Sequence, residues 1–259
     1  MDEWNTHRKI ALITGANKGI GRATAERLAE LGVTVLIGAR NARRGEEAAA
    51  AVRAGGGDAH AVTLDVTDLA TVEAAAGWVE ERFGRLDVLV NNAAITGSDQ
   101  VPPEDAVDQI PSGVDLDMVR SVFETNVFGV IAVTNAMLPL LRRSPAPRIV
   151  NLSSGGGSLA LNSEPGGPLS GLPQSAAYSP SKTALNALTV QYANELRKDG
   201  ILVNAAAPRL RRHGHQRPPR VPHPRAGRDG RGTTGDAGRG RADRWVLQRG
   251  RPRALVTAG

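Results

Sequence analysis

Residues 10–21 read Ile-Ala-Leu-Ile-Thr-Gly-Ala-Asn-Lys-Gly-Ile-Gly, an apolar run followed at once by three spaced glycines. The apolar run predicts a strand buried on both faces, and the glycines predict a turn that opens a helix. Glycines in such a turn let the backbone approach a pyrophosphate at the helix N-terminus, where free N–H groups favour anions. A glycine-rich turn can also simply join a strand to a helix, but its place in the first strand–helix unit favours a nucleotide site.

The same alternation of strand and helix patterns continues outward from this stretch to residue 205. Short apolar runs predict strands at Ile10–Thr14, Val33–Gly38, Ala59–Leu64, Leu86–Val90, Arg148–Leu152 and Ile201–Ala205. Amphipathic stretches between them predict helices at 19–31, 41–54, 68–83, 116–141 and 177–198. Strands of uninterrupted Val, Ile and Leu that alternate with helices imply right-handed βαβ units. The predicted fold class is therefore α/β, a doubly wound parallel sheet of the Rossmann type flanked by helices.

The charge of the chain changes abruptly at residue 208. Residues 1–208 contain 18 Lys and Arg against 23 Asp and Glu, a balance of −5, whereas residues 209–259 contain 14 against 3, a balance of +11. The first part has the composition of a mildly acidic globular domain that is long enough to bury a substantial core. The second part, with 14 Arg, no Lys, 9 Gly and 5 Pro, is predicted to be disordered. We therefore predict two regions, a nucleotide-binding domain over 1–208 and an Arg-rich tail over 209–259.

Composition also excludes several classes of protein. The chain has no cysteine, which excludes disulfides, Cys-ligated zinc and thiol catalysis, and we predict no metal cofactor. The N-terminus lacks the basic start and long apolar stretch of a secretory signal. The longest apolar stretch, residues 127–141, is too short to span a bilayer and contains polar residues. These features predict a cytoplasmic protein without a membrane segment.

Two basic residues indicate which nucleotide the site would bind. An acidic residue at the end of the second strand would hold the ribose 2′-hydroxyl of NAD. This chain has Ala39 and Arg40 there, and Lys18 in the glycine turn. Two cations without a carboxylate favour the 2′-phosphate of NADP, although both could also be solvated surface charges. The predicted cofactor-binding residues are Gly15, Asn17, Lys18, Gly19, Ile20, Gly21, Arg40, Asp65, Val66, Asn92 and Ala93.

Tyr178 and Lys182 lie four residues apart in a predicted helix and therefore share a face. A phenol with an unperturbed pKa near ~10 is a poor acid at neutral pH, and a neighbouring ammonium is expected to lower that pKa. Tyr178 would then be a usable general acid. Tyr-x-x-x-Lys alone is a weak motif, and it gains weight from Asn126 in the preceding helix and from Ser154 after the fifth strand.

Two loops are longer than a doubly wound fold requires. Residues 95–115 are acidic and contain Pro, and residues 155–177 are rich in Gly, Pro and Ser. Because ligands bind beyond the carboxyl ends of parallel strands, these loops are candidate walls of a substrate pocket. The alternative is that they are surface insertions without a role in binding.

With these motifs in order, residues 8–208 resemble the classical short-chain dehydrogenase/reductases. The spacing of 24 positions from Ser154 to Tyr178, together with Asn17-Lys18 and Ala39-Arg40, is similar to the carbonyl-reductase branch, whose members are often monomeric. One minor departure is Ala94, where the family usually has Gly. The resemblance implies NADPH-dependent reduction of a small-molecule carbonyl substrate by a monomer or weak oligomer.

The resemblance also implies a role for each catalytic candidate. Tyr178 would protonate the carbonyl oxygen as hydride arrives from NADPH, and Lys182 would lower the pKa of Tyr178 and bind the nicotinamide ribose. Ser154 would hydrogen-bond the substrate oxygen, and Asn126 would hold a water of the proton relay. Tyr178 and Lys182 thus belong to both the catalytic and the cofactor-binding sets.

The resemblance stops at Pro208. The family has Gly next, then a Thr that binds the nicotinamide carboxamide, a substrate lid and a seventh strand. This chain has Arg209 in place of the Gly, and no later residue fits that pattern. We therefore expect the last strand and the lid to be missing or disordered, and carbonyl reduction by this chain to be largely lost.

A frameshift at the Pro208 codon would explain the break. Residues 209–215 can be encoded as CGG CTA CGT CGC CAC GGA CAT, and loss of one base gives codons for Gly-Tyr-Val-Ala-Thr-Asp, the expected family continuation. At the same offset, residues 243–257 can encode Pro-Thr-Gly-Gly-Phe-Phe-Asn-Glu-Asp-Gly-Pro-Val-Pro-Trp and then a stop codon. The alternative is an impaired NADP-binding protein whose basic tail binds nucleic acid or another polyanion. The lack of Lys disfavours that alternative, so we do not expect nucleic acid as a partner.

Overall fold

The computed structural model describes residues 8–97, 109–170 and 174–208. The predicted disorder, frameshift and polyanion binding of residues 209–259 concern residues outside these ranges. The strands are β1 (Ile10–Thr14), β2 (Thr34–Ala39), β3 (Ala59–Thr63), β4 (Val88–Asn91), β5 (Arg148–Leu152) and β6 (Leu202–Ala206). The helices are α1 (Gly19–Glu30), α2 (Ala42–Ala54), α3 (Leu69–Phe83), α4 (Leu116–Phe123), α5 (Gly129–Leu141), α6 (Leu159–Ser163) and α7 (Tyr178–Glu195).

The six strands form one parallel sheet in the order β3-β2-β1-β4-β5-β6. The order reverses beside β1, because β1 pairs with β2 on one side and with β4 on the other. In an open α/β sheet such a reversal leaves a crevice at the carboxyl ends of the two diverging strands. The turn after β1 and the segment after β4 therefore meet at this crevice. The predicted α/β, Rossmann-type fold class is confirmed for the described residues.

The two faces of the sheet have separate cores, because successive side chains of a strand point to opposite faces. Ile10 and Leu12 of β1 belong to a cluster with residues of α3, α5 and α7. Ala11 and Ile13 belong to a second cluster with residues of α1 and α2. All four side chains are fully buried. This double burial is why the strand runs are continuously apolar rather than alternating.

Short polar residues place the starts of several helices. The side chains of Asn41, Asp68 and Asp115 accept hydrogen bonds from backbone N–H groups in the first turns of α2, α3 and α4, respectively. Each such cap satisfies a donor that has no partner within the helix. The α3 helix ends at Gly84, whose φ of 69° is the left-handed conformation common at helix C-termini. These local signals account for helix bounds within a residue or two of the predicted ones.

The predicted helix 116–141 is interrupted by a π-helical turn over Glu124–Phe128. The extra residue of a π-helical turn shifts the side chains that follow it around the helix axis, and such turns are frequent at functional sites. By length and composition alone, Leu116–Leu141 could cross a membrane. Within it, Val133, Met137 and Leu141 are fully buried in the protein core. That burial is typical of a central core helix.

The loop 155–177 differs from its prediction, and the last described strand, β6, has an open edge. The short helix α6 lies within the loop 155–177, which was predicted without regular structure. The β6 strand pairs with β5, and within the described residues no strand pairs with its other side. Leu202 of β6 is 52% exposed. The described sheet therefore ends at a partly apolar open edge.

Candidate active site

The turn after β1 lies against the backbone that follows β4. Gly15 has a φ of +64°, and a Cβ at this position would lie 3.0 Å from the Cα of Ala93. A Cβ at Gly21 would collide with the side-chain amide of Asn92. At Gly19, with a φ of +57°, a Cβ would meet nothing within 4 Å. The first and third glycines are thus required by close packing, while Gly19 leaves open space at the start of α1, as a backbone cradle for a pyrophosphate requires.

Asn92 ties the end of β4 to this turn. Its side-chain Nδ2 donates to the carbonyl oxygens of Thr14 (2.8 Å) and Gly15 (3.2 Å). In return, the backbone N–H groups of Asn92 and Ala93 donate to the Thr14 hydroxyl at 3.0 and 2.9 Å. The two sides of the crevice are therefore held together by four hydrogen bonds that do not involve any ligand.

A cleft of about 270 Å³ adjoins the glycine turn. Its walls are formed by Asn17, Lys18, Arg22, Arg44, Glu47 and Ala48. Arg22 is paired with Glu26 at 2.9 Å, whereas Lys18 and Arg44 form no ion pair with any described residue. The one carboxylate of the lining, Glu47, is paired with Arg43 at 2.8 Å, so the two exposed cations Lys18 and Arg44 make this cleft a candidate site for an anion.

The structure adds a basic residue to those that the sequence suggested for the 2′-phosphate. Lys18 and Arg44 line this cleft, and the role predicted for Arg40 stays a prediction. Arg44 is at the first turn of α2, where its backbone N–H donates to the Asn41 side chain at 3.0 Å. Sequence reasoning missed Arg44 because it considered only the residues directly after β2. The Asn41 cap was a usable signal, since it places the following turn at the same edge of the sheet.

Asp65 and Val66 lie just after β3. The Asp65 carboxylate accepts from the backbone N–H and the hydroxyl of Thr67, at 3.0 and 2.8 Å, and so shapes its own turn. Val66 packs on Gly129, where an added Cβ would lie 2.8 Å from a Val66 methyl. These residues fix the third strand's loop at the same edge of the sheet as the glycine turn.

The predicted catalytic residues Ser154, Tyr178 and Lys182 come together at the carboxyl end of β5. The Ser154 hydroxyl lies near enough to the Tyr178 phenol to lower its pKa. The Lys182 ammonium lies 5.7 Å from the centre of the Tyr178 ring and donates to the carbonyl oxygen of Leu152 at 2.7 Å. A hydroxyl, a phenol and an amine are thus gathered in one partly enclosed site, which is an arrangement suited to proton transfer.

Burial changes the pKa values of two of these groups. Burial raises the pKa of Tyr178, and the hydrogen bond from Ser154 opposes this shift. Burial lowers the pKa of Lys182 to about 8. The sequence predicted that Lys182 lowers the pKa of Tyr178, whereas the net effect of the surroundings of Tyr178 is to raise it. The reason is that desolvation penalises the charged forms of both groups, and local spacing in a helix does not reveal desolvation.

The Lys182→Met variant tests the burial of this amine. Between pH 8 and 10.5 the unfolded chain holds a proton on Lys182 that the folded chain has lost, so the stability of the native chain rises with pH in this range. Relative to Lys182→Met, we expect the native free energy of unfolding to rise by about 2 kcal/mol from pH 7 to pH 9.5. Urea denaturation at both pH values measures this, and parallel behaviour of the two proteins would contradict it.

Asn126, in the π-helical turn, is fully buried. Its Oδ1 accepts from the backbone N–H of Ile95 at 2.9 Å, and its Nδ2 donates to the Ile95 carbonyl at 2.9 Å and to the Ser181 hydroxyl at 3.0 Å. Ser181 is the residue before Lys182. Asn126 therefore connects the loop after β4 with the turn of α7 that carries the amine.

The 3₁₀ turn Gly155–Gly157 packs directly on α7. The carbonyl oxygen of Gly157 accepts from Thr183 and Asn186 side chains at 3.1 and 3.0 Å. A Cβ at Gly157 would lie 2.8 Å from the backbone carbonyl carbon of Lys182. The close approach needs glycine, and it sets the distance between Ser154 and the face of α7 that carries Tyr178.

The short chain dehydrogenase family matches residues 9–212 of this chain. The chain belongs to the short-chain dehydrogenase family. The match ends four residues beyond Pro208, where the sequence motifs of this short-chain dehydrogenase also stop. Members of the family are oxidoreductases that use a nicotinamide cofactor, so the predicted family and the general class of activity are confirmed.

Curated relatives of this short-chain dehydrogenase include both reductases and dehydrogenases. It is 38% identical over 206 residues to short-chain dehydrogenase anuI of Penicillium roqueforti, with 78% of each chain covered. It is 36% identical to (-)-isopiperitenone reductase of Mentha piperita, covering 60% of this chain and 59% of the relative. The chain thus spans less than two thirds of the length of that reductase.

Solved structures of similar proteins agree on the fold. A xylitol dehydrogenase bound to NAD+ is 34% identical with a TM-score of 0.66, covering 77% of this chain and 69% of that one. A gluconate 5-dehydrogenase from Burkholderia cenocepacia, in complex with NADP and tartrate, is 31% identical with a TM-score of 0.63, covering 77% and 70%. The two neighbours differ in cofactor, so similarity alone does not select NAD or NADP for this short-chain dehydrogenase.

Proposed function

We propose that this chain binds NADP and that its site is built to reduce the carbonyl group of a small ketone or aldehyde to an alcohol. The observation that carries this proposal is the gathering of Tyr178, Lys182 and Ser154 at the carboxyl end of β5, with the Lys182 ammonium 5.7 Å from the centre of the Tyr178 ring. A cytoplasmic location and a monomeric or weakly associating state are part of the same proposal. Among the described residues, no cluster of three or more His, Asp or Glu side chains could hold a metal ion.

The described residues fit a dinucleotide at the crevice. The backbone of the turn around Gly19 has open space beside it, so it would hold the pyrophosphate at the start of α1. Lys18 and Arg44 would hold a 2′-phosphate in the cationic cleft, where neither is paired with Glu47, the carboxylate of the lining. Asp65, Asn92 and Ala93 lie at the same edge and would border the adenosine. A phosphate group explains the two unpaired cations better than a ribose hydroxyl does.

The chemistry needs a hydride and a proton, and the bound nicotinamide supplies the hydride to the carbonyl carbon. Tyr178 supplies the proton to the carbonyl oxygen. The phenol of Tyr178 holds its proton at neutral pH, and burial makes it a weaker acid by raising its pKa. The Ser154 hydroxyl opposes that shift, and a positive charge beside the phenol would favour release of the proton. The Ser154 hydroxyl would also hold the carbonyl oxygen beside the donor.

Lys182 is suited to support this proton transfer. Its pKa of about 8 lies near neutral pH, so it can lose and regain a proton at little cost. The buried Lys182 ammonium donates a hydrogen bond to the carbonyl oxygen of Leu152. Asn126 would position its neighbours rather than react, because its amide is hydrogen-bonded both to Ile95 and to Ser181 near the start of α7.

Replacing Arg44 by Ala tests the preference for NADP. A charge-assisted hydrogen bond to phosphate contributes about 1.5–3 kcal/mol, so we expect NADPH to bind about 10- to 100-fold more weakly to the variant. NADH, which has no 2′-phosphate, should bind as it does to the native chain. Titration of cofactor fluorescence gives the dissociation constants without requiring turnover.

Arg27→Ala is the matched control, because Arg27 is exposed and paired with Glu30 at 2.5 Å, and neither residue lines the cleft. It should leave both dissociation constants within about twofold of the native values. Equal weakening of NADPH and NADH by Arg44→Ala would contradict the assignment of the cleft to the 2′-phosphate.

A further inference from the structure

Gln109 is unusual because it is a long polar side chain that lies outside helices and strands and is nevertheless buried, with 5% of its surface exposed. Its Nε2 donates to the carbonyl oxygen of Thr96 at 3.1 Å, and its Oε1 accepts from the Ser175 hydroxyl at 2.9 Å. Its own backbone carbonyl accepts from the N–H of Ala176 at 2.8 Å. A buried amide is stable only where its polar atoms find partners, and Gln109 finds them on two different loops.

Ser175 connects Gln109 to Tyr178, the first residue of α7. The Ser175 hydroxyl donates its hydrogen to Gln109 and accepts from the backbone N–H of Tyr178 at 2.9 Å. Because a hydroxyl has a single hydrogen, donation to Gln109 leaves the lone pairs of Ser175 for the Tyr178 N–H. Ala177, at the N-cap of α7, offers no side-chain cap. Ser175 therefore supplies the missing cap, and Gln109 orients it.

Gln109 also contacts the loop after β4, through its hydrogen bond to the Thr96 carbonyl oxygen. Thr96 follows Ile95, and both hydrogen-bonding groups of the Ile95 backbone are bound to Asn126. Gln109 thus joins the loop that Asn126 fixes to the start of the helix that carries Tyr178. Both connected loops are those that the sequence indicated as walls of a substrate pocket.

We propose that Gln109 is a positioning residue that holds the start of α7 so that the Tyr178 hydroxyl meets Ser154. Ser154 lies at the end of β5 and Tyr178 at the start of α7, so their contact depends on the placement of one element against the other. Gln109 touches neither reacting group and acts through Ser175. Its effect on turnover rests on the carbonyl reduction proposed above, whereas its effect on the start of α7 does not.

The test replaces Gln109 by Leu, which is of similar size and cannot form either side-chain hydrogen bond. Hydrogen–deuterium exchange of the native full chain and the variant should show faster exchange in peptides covering 174–181, with β1 unchanged. The kcat for NADPH-dependent ketone reduction should fall about 10- to 100-fold, since a shift of about 1 Å in a reacting group costs that much. The dissociation constant for NADPH should stay within about twofold.

A double-variant cycle separates positioning from general stability. Ser175→Ala should reproduce the effects of Gln109→Leu, and the combined variant should be no worse than either, because both break one chain of contacts. Gln191→Leu makes the same substitution at an exposed position of α7 and should change none of the readouts. Additive losses from the two single variants would overturn the proposal.

Two further outcomes are decisive. Unchanged exchange at 174–181 in Gln109→Leu, or faster exchange spread evenly over β1 and α7, overturns the positioning role. If none of these proteins reduces a ketone, the result agrees with the loss expected from the sequence after Pro208, and local exchange at 174–181 with NADPH binding retained still supports positioning by Gln109. The exchange measurement therefore decides the inference independently of the reaction.

Discussion

Removing one base at the Pro208 codon is expected to raise the rate of NADPH oxidation with a ketone by about 100-fold over the chain as it stands. Our reason is the proposal that residues 209–259 are read in the wrong frame. The restored frame would supply the Gly-Tyr-Val-Ala-Thr-Asp continuation, including the Thr that the family resemblance implies for the nicotinamide carboxamide. It would also supply a strand for the side of β6 that no described strand covers. Without a lid and a carboxamide contact, the cofactor is not held in a reactive position.

The measurement is absorbance at 340 nm under steady-state conditions with the native chain and the restored chain. A chain that ends at Pro208 is the control, and it should turn over as slowly as the native one if residues 209–259 contribute nothing to the site. Native turnover at the level of the restored chain would contradict the proposed loss. Resequencing the DNA across the Pro208 codon tests the frameshift itself, and an undisturbed frame there would exclude it.

The alternative role of the tail has its own test. Salt-dependent DNA binding that disappears when residues 209–259 are removed would support a polyanion-binding tail with 14 arginines. We expect weak binding without a preferred sequence, because clustered charge alone attracts any polyanion. A specific, tight complex would favour the alternative of a protein whose nucleotide-binding domain has lost its reaction.

Tyr178→Phe is expected to lower the kcat of the restored chain by about 10²- to 10⁴-fold, the usual contribution of general acid catalysis. The variant removes the phenol hydrogen that the carbonyl oxygen would receive and leaves the ring in place. Lys182 would keep its contact with the Leu152 carbonyl, because that bond does not involve the phenol. The dissociation constant for NADPH should therefore change little. Stopped-flow single turnovers separate the hydride step from cofactor binding.

Tyr192→Phe is the matched control, since the chain contains two tyrosines and both lie on α7. The Tyr192 hydroxyl donates to the Asn135 side chain at 2.8 Å and not to Ser154 or Tyr178. Its loss should cost about 1 kcal/mol of stability and leave kcat unchanged. Comparable turnover of both variants would show that Tyr178 does not supply the proton.

Much of the fold could be predicted because its signals are local. The β1 and β5 strands have the predicted bounds, since a sheet buried on both faces requires runs of apolar residues. Helices begin within a residue or so of their predicted starts, because caps such as Asn41 and Asp68 act on the next three residues. The interruption of the helix 116–141 was not predicted, because a π-helical turn has no distinctive composition.

The candidate site could be predicted only in part, because some of its contacts are local in sequence and others join distant segments. Helical spacing alone places Tyr178 and Lys182 on one face, and the strand order follows from the alternation of elements. The presence of Arg44 in the cationic cleft depends on how α2 leaves the sheet. The two hydrogen bonds that connect Gln109 to Tyr178 through Ser175 join residues 69 positions apart. A pattern of neighbouring residues in the sequence cannot predict such a contact.

The sequence by itself determined the glycine turn, the parallel α/β sheet, the family and the identity of the residues that could carry a proton. Only the tertiary structure decided which of these groups are buried, and hence that the pKa of Lys182 falls to about 8 while that of Tyr178 rises. It also decided which cations, Lys18 and Arg44, share a cleft and are not paired within it. The physical reason is that desolvation and contact between distant segments depend on packing in three dimensions, whereas strands, turns and caps depend on residues that are neighbours in the chain.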